Sequence, residues 1–153
     1  MPEDNFSVKL IAYVPNARNN AQRAECEKAQ RDQQCPFCPS GSALNSLDDP
    51  VIFESDHWNV KKNAYPYPGV GVHLVIIPKA HITSVSELSD AAILELVHVV
   101  VPWAEKEFNL PGYGLVVRTN PAVTGGTIYH LHFQLVLAKV GETVNVPFGP
   151  RRE

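Results

Sequence analysis

The chain reads as an α+β protein: an antiparallel sheet of about five strands, one main helix packed on it, and an extra helical arm at the N-terminus. Three observations predict this. Short apolar or alternating runs bounded by Pro, Gly, Asn and Asp outnumber helical patterns. One long stretch after Ser89 carries apolar residues at helical spacing. Residues 16–34 are rich in Ala, Gln, Arg and Glu, and stop at Cys35-Pro36.

Residues 8–14 read as a short strand, and residues 16–34 as a solvated helix or arm of mixed charge. Residues 35–49 hold Pro36, Pro39 and Gly41 and read as loop. Residues 51–54 and 58–61 are two strands joined by Ser55-Asp56-His57. Residues 63–71 are loop, and 72–77 a buried strand stopped by Pro78. Ser89 caps the helix, with Asp90 in its first turn. Its apolar stripe is Ile93, Leu94, Leu96, Val97, Val100, Val101 and Ala104, and Pro102 is expected to kink or split it. Residues 113–119 and 131–138 are the remaining strands, with a short edge at 144–148. The chain thus divides into an N-terminal strand and arm (1–34), a main domain (35–148) and a tail (149–153).

Composition narrows the function. A length of 153 residues suits one domain with a real core. With 44% hydrophobic and 19% charged residues, that core is affordable in a globular chain. A net charge of −3 argues against a generic nucleic-acid surface. No apolar run is long enough for a membrane span. The start, Met1-Pro2-Glu3-Asp4-Asn5, lacks the character of a secretory signal, so a cytoplasmic location is expected. The three cysteines then read as thiols or metal ligands, and Cys26 as a free thiol.

The most informative segment is Tyr129-His130-Leu131-His132-Phe133-Gln134-Leu135-Val136. On a strand, His130, His132 and Gln134 share one face and Leu131, Phe133 and Leu135 the other. Two imidazoles and an amide on one face mark a site. Thr124-Gly125-Gly126-Thr127 leads into it, a loop able to turn N–H groups toward an anion. Cys35-Pro36-Phe37-Cys38 is spaced to grip one zinc; a redox dithiol or a chance pair are the alternatives. His57, His73, His81, His98, His130 and His132 are the free candidates for the remaining ligands. His98, among valines, and His57, in a turn, read as ordinary histidines.

These motifs together resemble the histidine-triad (HIT) superfamily. His73-Leu74-Val75-Ile76-Ile77-Pro78-Lys79-Ala80-His81 is similar to its His, four apolar, Pro, basic, any, His segment. The 130–136 run resembles its signature, and Asn120 with Gly125-Gly126-Thr127 stands where that family keeps an Asn and a phosphate loop. Asn63-Ala64-Tyr65-Pro66-Tyr67 resembles a stretch of the dinucleoside tetraphosphate phosphorylase subgroup. The matches cover residues 35–137. One departure is Gln134 in the third triad position. His-x-His-x-Gln resembles the nucleotidyltransferase branch, with galactose-1-phosphate uridylyltransferase and the phosphorylases.

The resemblance implies a HIT-like domain over 35–148 and a closed structural zinc site of Cys35, Cys38, His81 and His130. The other reading of His130 is that it only orients His132. It implies His132 as the nucleophile that attacks an α-phosphorus. Gln134, Asn120, Thr127 and N–H groups near Gly126 would face the phosphate oxygens. Asn63 and His73 would join the nucleotide-binding set, Asn63 at the ribose or simply as a turn former. Lys79 and Arg118 fall near the site in pattern, or are surface charges. Expected substrates are a nucleotide, a dinucleoside polyphosphate or a nucleotide sugar, with no nucleic acid and no membrane partner. Relatives often dimerise by extending the sheet, so a homodimer is possible. Glutamine cannot shuttle a proton at neutral pH, which favours transfer to a phosphate-bearing acceptor. The absence of a second, acceptor-binding domain favours a plain nucleotide hydrolase. A non-catalytic nucleotide-binding module and a zinc-stabilised interaction domain are the other readings.

Overall fold

The computed structural model describes residues 8–151. Five strands, β1 (Val51–Glu54), β2 (Trp58–Lys62), β3 (Val70–Pro78), β4 (Gly114–Val117) and β5 (Phe133–Ala138), form one sheet. Its order is β1-β2-β3-β5-β4, and every pairing is antiparallel. The last strand in sequence is therefore internal. The alternation of side chains gives the sheet two buried faces. Trp58 and Val60, Leu74 and Ile76, and Phe133 and Leu135 point to one of them.

The helix predicted after Ser89 covers that face. Ser89 Oγ accepts the Ala92 N–H at 3.1 Å and caps α2 (Asp90–Glu95). A π-helical turn over Leu96–Val100 follows, then α3 (Val101–Glu107). Pro102 explains the interruption. It offers no N–H and its ring crowds the carbonyl four residues back, and the wider turn relieves both. Leu96, Val100, Val101 and Ala104 are buried against the sheet. Ile93, Leu94 and Val97, expected in the same stripe, are instead exposed, because the buried stripe is narrower and runs through Ala92, Leu96 and Val100 at every fourth residue. Trp58 Nε1 donates to Ala92 O at 2.8 Å and ties sheet to helix.

The opposite face carries Asn59, Lys61, His73, Val75 and Gln134, all buried. Across it, Lys61 lies opposite Val75 and Val75 opposite Gln134. The N-terminal arm helps cover this face. Its helix α1 (Asn20–Asp32) is capped by Asn19, whose side chain accepts from Gln22 N at 2.8 Å. Gln22, Cys26 and Ala29 are buried at i, i+4, i+7, so the arm is docked on one face, not solvated all round. Among the described residues no helix is long and apolar enough to cross a membrane.

Three local expectations are corrected and one element is added. Residues 8–14 make only a single bridge, Ala12 to Ile128, because Gln30 Oε1 takes the N–H groups of Ile11 and Ala12. Residues 144–148 form no strand; Arg118 binds Pro147 O and Gly149 N binds Thr124 O. A short helix, α4 (Pro121–Thr124), precedes the glycine loop. His130, at a bend, and His132, in irregular backbone, lie just before β5 without a ladder partner.

Candidate active site and metal centre

Four predicted ligands converge. Donor atoms of Cys35, Cys38, His81 and His130 all lie within 4.8 Å of one another. Cys35 Sγ is 3.3 Å and Cys38 Sγ 3.7 Å from His130 Nδ1. Cys38 Sγ is 3.3 Å from His81 Nδ1, and the two Nδ1 atoms are 3.2 Å apart. Zinc bonds of about 2.3 Å to sulfur and about 2.0–2.1 Å to nitrogen put tetrahedral neighbours roughly 3.3 Å (N/N) to 3.6 Å (N/S) apart. The observed edges fit that tetrahedron. His130 Nε2 donates to Pro78 O at 2.8 Å, so its Nδ1 keeps a free lone pair facing the sulfurs. Burial pulls the His130 imidazole down to about 4 and pushes the Cys35 thiol up to about 12, so a thiolate there requires a cation beside it. The loop is held by its own backbone: Ala43 N donates to Pro36 O at 3.1 Å and Gly41 N to Cys38 O at 2.7 Å. A Cβ at Gly41 would sit 2.3 Å from the carbonyl oxygens of Cys35 and Pro36, so only glycine closes this turn.

His132 stands beside this centre and lines a cleft with Phe37, Asn63, Arg118, Gly126 and Thr127. Its Nδ1–H donates to His130 O at 2.8 Å, which leaves the Nε2 lone pair unprotonated in the neutral ring. The ring is neutral: burial in the cleft pulls it down to about 4, the His130 carbonyl opposes this, and the Arg118 charge lowers it further. The Phe37 ring meets His132 edge-on at 5.0 Å. The glycine loop is braced from the arm, where Asn16 Nδ2 donates to Pro121 O and Gly126 O, both at 2.8 Å. Gly125, at φ +98°, packs so close to Gly149 O that a Cβ would come within 2.5 Å.

Gln134 is the hub of a buried network. Tyr67 N–H donates to His73 Nδ1 at 3.3 Å, so His73 carries its proton on Nε2 and donates it to Gln134 Oε1 at 2.5 Å. Gln134 Nε2 donates to Tyr67 Oη at 3.1 Å, which also accepts from Arg118 at 2.7 Å. Burial holds His73 below its ordinary value, more strongly than the Gln134 contact raises it. Arg18, from the arm, lies over the Tyr67 ring at 4.5 Å and donates to Tyr65 O.

Residues 34–143 match the family described as scavenger mRNA decapping enzyme C-term binding. The chain belongs to this family, within the histidine-triad superfamily. An uncharacterized HIT-like protein of Chlamydia muridarum is 29% identical over 87 residues, 56% of this chain and 68% of that one. A HIT family hydrolase of Legionella pneumophila is 27% identical with a TM-score of 0.51, covering 67% of this chain and 91% of its own. A zinc-bound histidine triad family protein of Mycobacterium smegmatis shares the fold at 21% identity and a TM-score of 0.51, over 72% and 81% of the two chains.

In this histidine-triad chain, Asn63, Gly126, Thr127, His132 and Gln134 share one cleft. His73 lies behind Gln134 and outside the lining. Asn120, at φ 53°, lines a neighbouring recess with Thr83 and His130. Lys79 pairs with Glu54 at 2.6 Å, on the surface, and His98 is exposed. His57 binds Glu95 at 3.1 Å. Arg151 is docked on the arm through Asn16 and Ala17; Arg152 lies outside the described residues. Sequence reasoning missed Arg18, Gln22, Glu25, Phe37 and Lys61 as cleft residues. The one available signal was the i, i+4, i+7 spacing of Gln22, Cys26 and Ala29.

Proposed function

We propose that this protein cleaves a nucleoside phosphate bond at the α-phosphorus through a nucleotidyl-His132 intermediate. The observation that carries the reading is the Nδ1–H bond from His132 to His130 O, beside the Gly126-Thr127 loop. It leaves Nε2 as a neutral nucleophile at physiological pH. Nε2 forms the P–N bond as the phosphorus–oxygen bond to the leaving group breaks, and that oxygen departs with the electron pair. Water or a phosphate-bearing acceptor then attacks the phosphorus, the P–N bond breaks with its electron pair returning to Nε2, and the proton of an attacking water passes to the departed oxygen or to solvent. Backbone N–H groups at Gly126, the Thr127 hydroxyl and Arg118 are suited to the charge on the non-bridging oxygens. Asn63 suits the ribose.

Gln134 presents an amide already engaged by His73 and Tyr67. It supplies no proton relay, which favours an acceptor that carries its own nucleophile. Cys35, Cys38, His81 and His130 would hold zinc. Bound there, the ion supplies a structural clamp between the Cys loop and the residues before β5, since all four positions are protein ligands. A second copy pairing along the edge of β4, where Tyr113 and Leu115 are exposed, is compatible with this reading.

The test is intact-mass spectrometry of zinc-replete protein with diadenosine polyphosphates, nucleotide sugars and adenosine phosphoramidate. A gain of one nucleotidyl group that His132→Ala lacks is the expected result. Turnover by His132→Ala at the wild-type rate would refute the mechanism.

A further inference from the structure

The far end of the cleft holds a charge that the reading above does not use. Lys61, on β2, is 4% exposed. Its Nζ donates to Ala43 O at 2.7 Å. None of the ion pairs among the described residues includes it. An ammonium carries three hydrogens, and Ala43 takes one. A buried, incompletely bonded cation is costly, so its retention calls for a use.

Position suggests that use. Lys61, Val75 and Gln134 form a row across β2, β3 and β5. Two strand spacings, about 10 Å, separate the backbone of Lys61 from that of Gln134. Val75, 5% exposed, lies between them as an apolar floor. A nucleotide with its phosphate at His132 and its ribose at Asn63 would lay its flat base over Val75, with the outer edge at Lys61. Glu25 of α1 lines the same cleft and commits one oxygen, Oε2, to the Tyr65 hydroxyl. Oε1 remains to accept a ligand N–H. Asp49 and Glu25 favour the charged form of Lys61 from a distance, against the larger effect of burial.

We infer that Lys61 and Glu25 read the lactam edge of a nucleobase, so that the cleft prefers uracil and guanine nucleotides to cytosine and adenine nucleotides. An ammonium donor beside a carboxylate acceptor complements an adjacent carbonyl and ring N–H. Adenine and cytosine present the reverse pattern, an amine beside a bare ring nitrogen, and would set the amine against the ammonium. This inference rests on the nucleotide reading.

The experiment is isothermal titration of the zinc-replete protein with UMP, GMP, CMP and AMP. UMP and GMP are expected to bind about tenfold or more tightly than CMP and AMP, the scale of one charge-assisted hydrogen bond. Lys61→Met is expected to erase the preference. Should that variant fail to fold, Glu25→Ala, at a half-buried helix position, is expected to shrink it at least about threefold. Equal binding of all four by the wild type would overturn the lactam inference and leave the nucleotide reading standing. A preference unchanged in the folded variants would remove Lys61 and Glu25 as its source. No binding of any nucleotide by folded, zinc-loaded protein would overturn both.

Discussion

Phe37, inside the Cys35–Cys38 loop, stands edge-on to His132, with ring centroids 5.0 Å apart and planes at 79°. It also meets His130 at 6.2 Å and 85°. The loop that carries two of the four candidate metal ligands thus touches the proposed nucleophile directly. Edge-to-face pairs of this kind contribute about 0.5–1.5 kcal/mol. Phe37→Ala is expected to keep its zinc and slow formation of the His132 adduct by roughly three- to tenfold, on that scale. Rapid-quench mass spectrometry measures the rate, and a rate equal to wild type would make Phe37 mere loop packing.

Cys35→Ser is expected to lower zinc occupancy and melting temperature together. Loss of a structural ion should move the midpoint by about 5 °C or more. Elemental analysis beside a thermal melt checks both. Full zinc occupancy in that variant would remove Cys35 from the ligand set.

His132→Ala is expected to lose adduct and turnover by about a thousandfold or more while zinc stays bound, because its Nδ1 and Nε2 lie outside the four-donor cluster. Zinc loss in this variant would show that the proposed nucleophile and the candidate metal site are not separable.

Stability should depend on pH through His73. Its folded value is depressed from the ordinary 6.5 by burial, so the unfolded chain binds the extra proton first. Where the unfolded state binds more protons, stability rises with pH. The His73 contribution is therefore full above about 6.5 and declines as pH falls from there toward the folded value. Urea unfolding of wild type and His73→Gln between pH 5 and 8, on the order of one proton apart in slope below about 6.5, is the check. Parallel slopes would mean that His73 is accessible and unperturbed.

The four-donor cluster was legible because Cys-x-x-Cys and the two histidine segments keep their spacing in sequence. β1, β2 and β3 were legible from alternation and from their turn residues. Lys61 was not: Trp58-Asn59-Val60-Lys61 reads as a strand with its polar side in water, and only the docked loop and arm bury that side. The arm itself is polar, and its contacts are made by Asn16, Arg18 and Gln22, residue types that ordinarily face solvent. The alternation at 130–134 leaves His132 and Gln134 in one cleft and His130 in the four-donor cluster beside it. It overstated the strand, because Leu131 N donates to Ile82 O and the ladder begins at Phe133.

The sheet order sets a timetable for biosynthesis. β5 emerges last yet fills the gap between β3 and β4. Cys35, Cys38 and His81 leave the ribosome well before His130, which follows His81 by 49 residues. A nascent chain therefore holds three candidate donors and lacks the proposed nucleophile. Both the fourth donor and His132 arrive with the strand that closes the sheet, so the proposed chemistry cannot begin on a half-made protein.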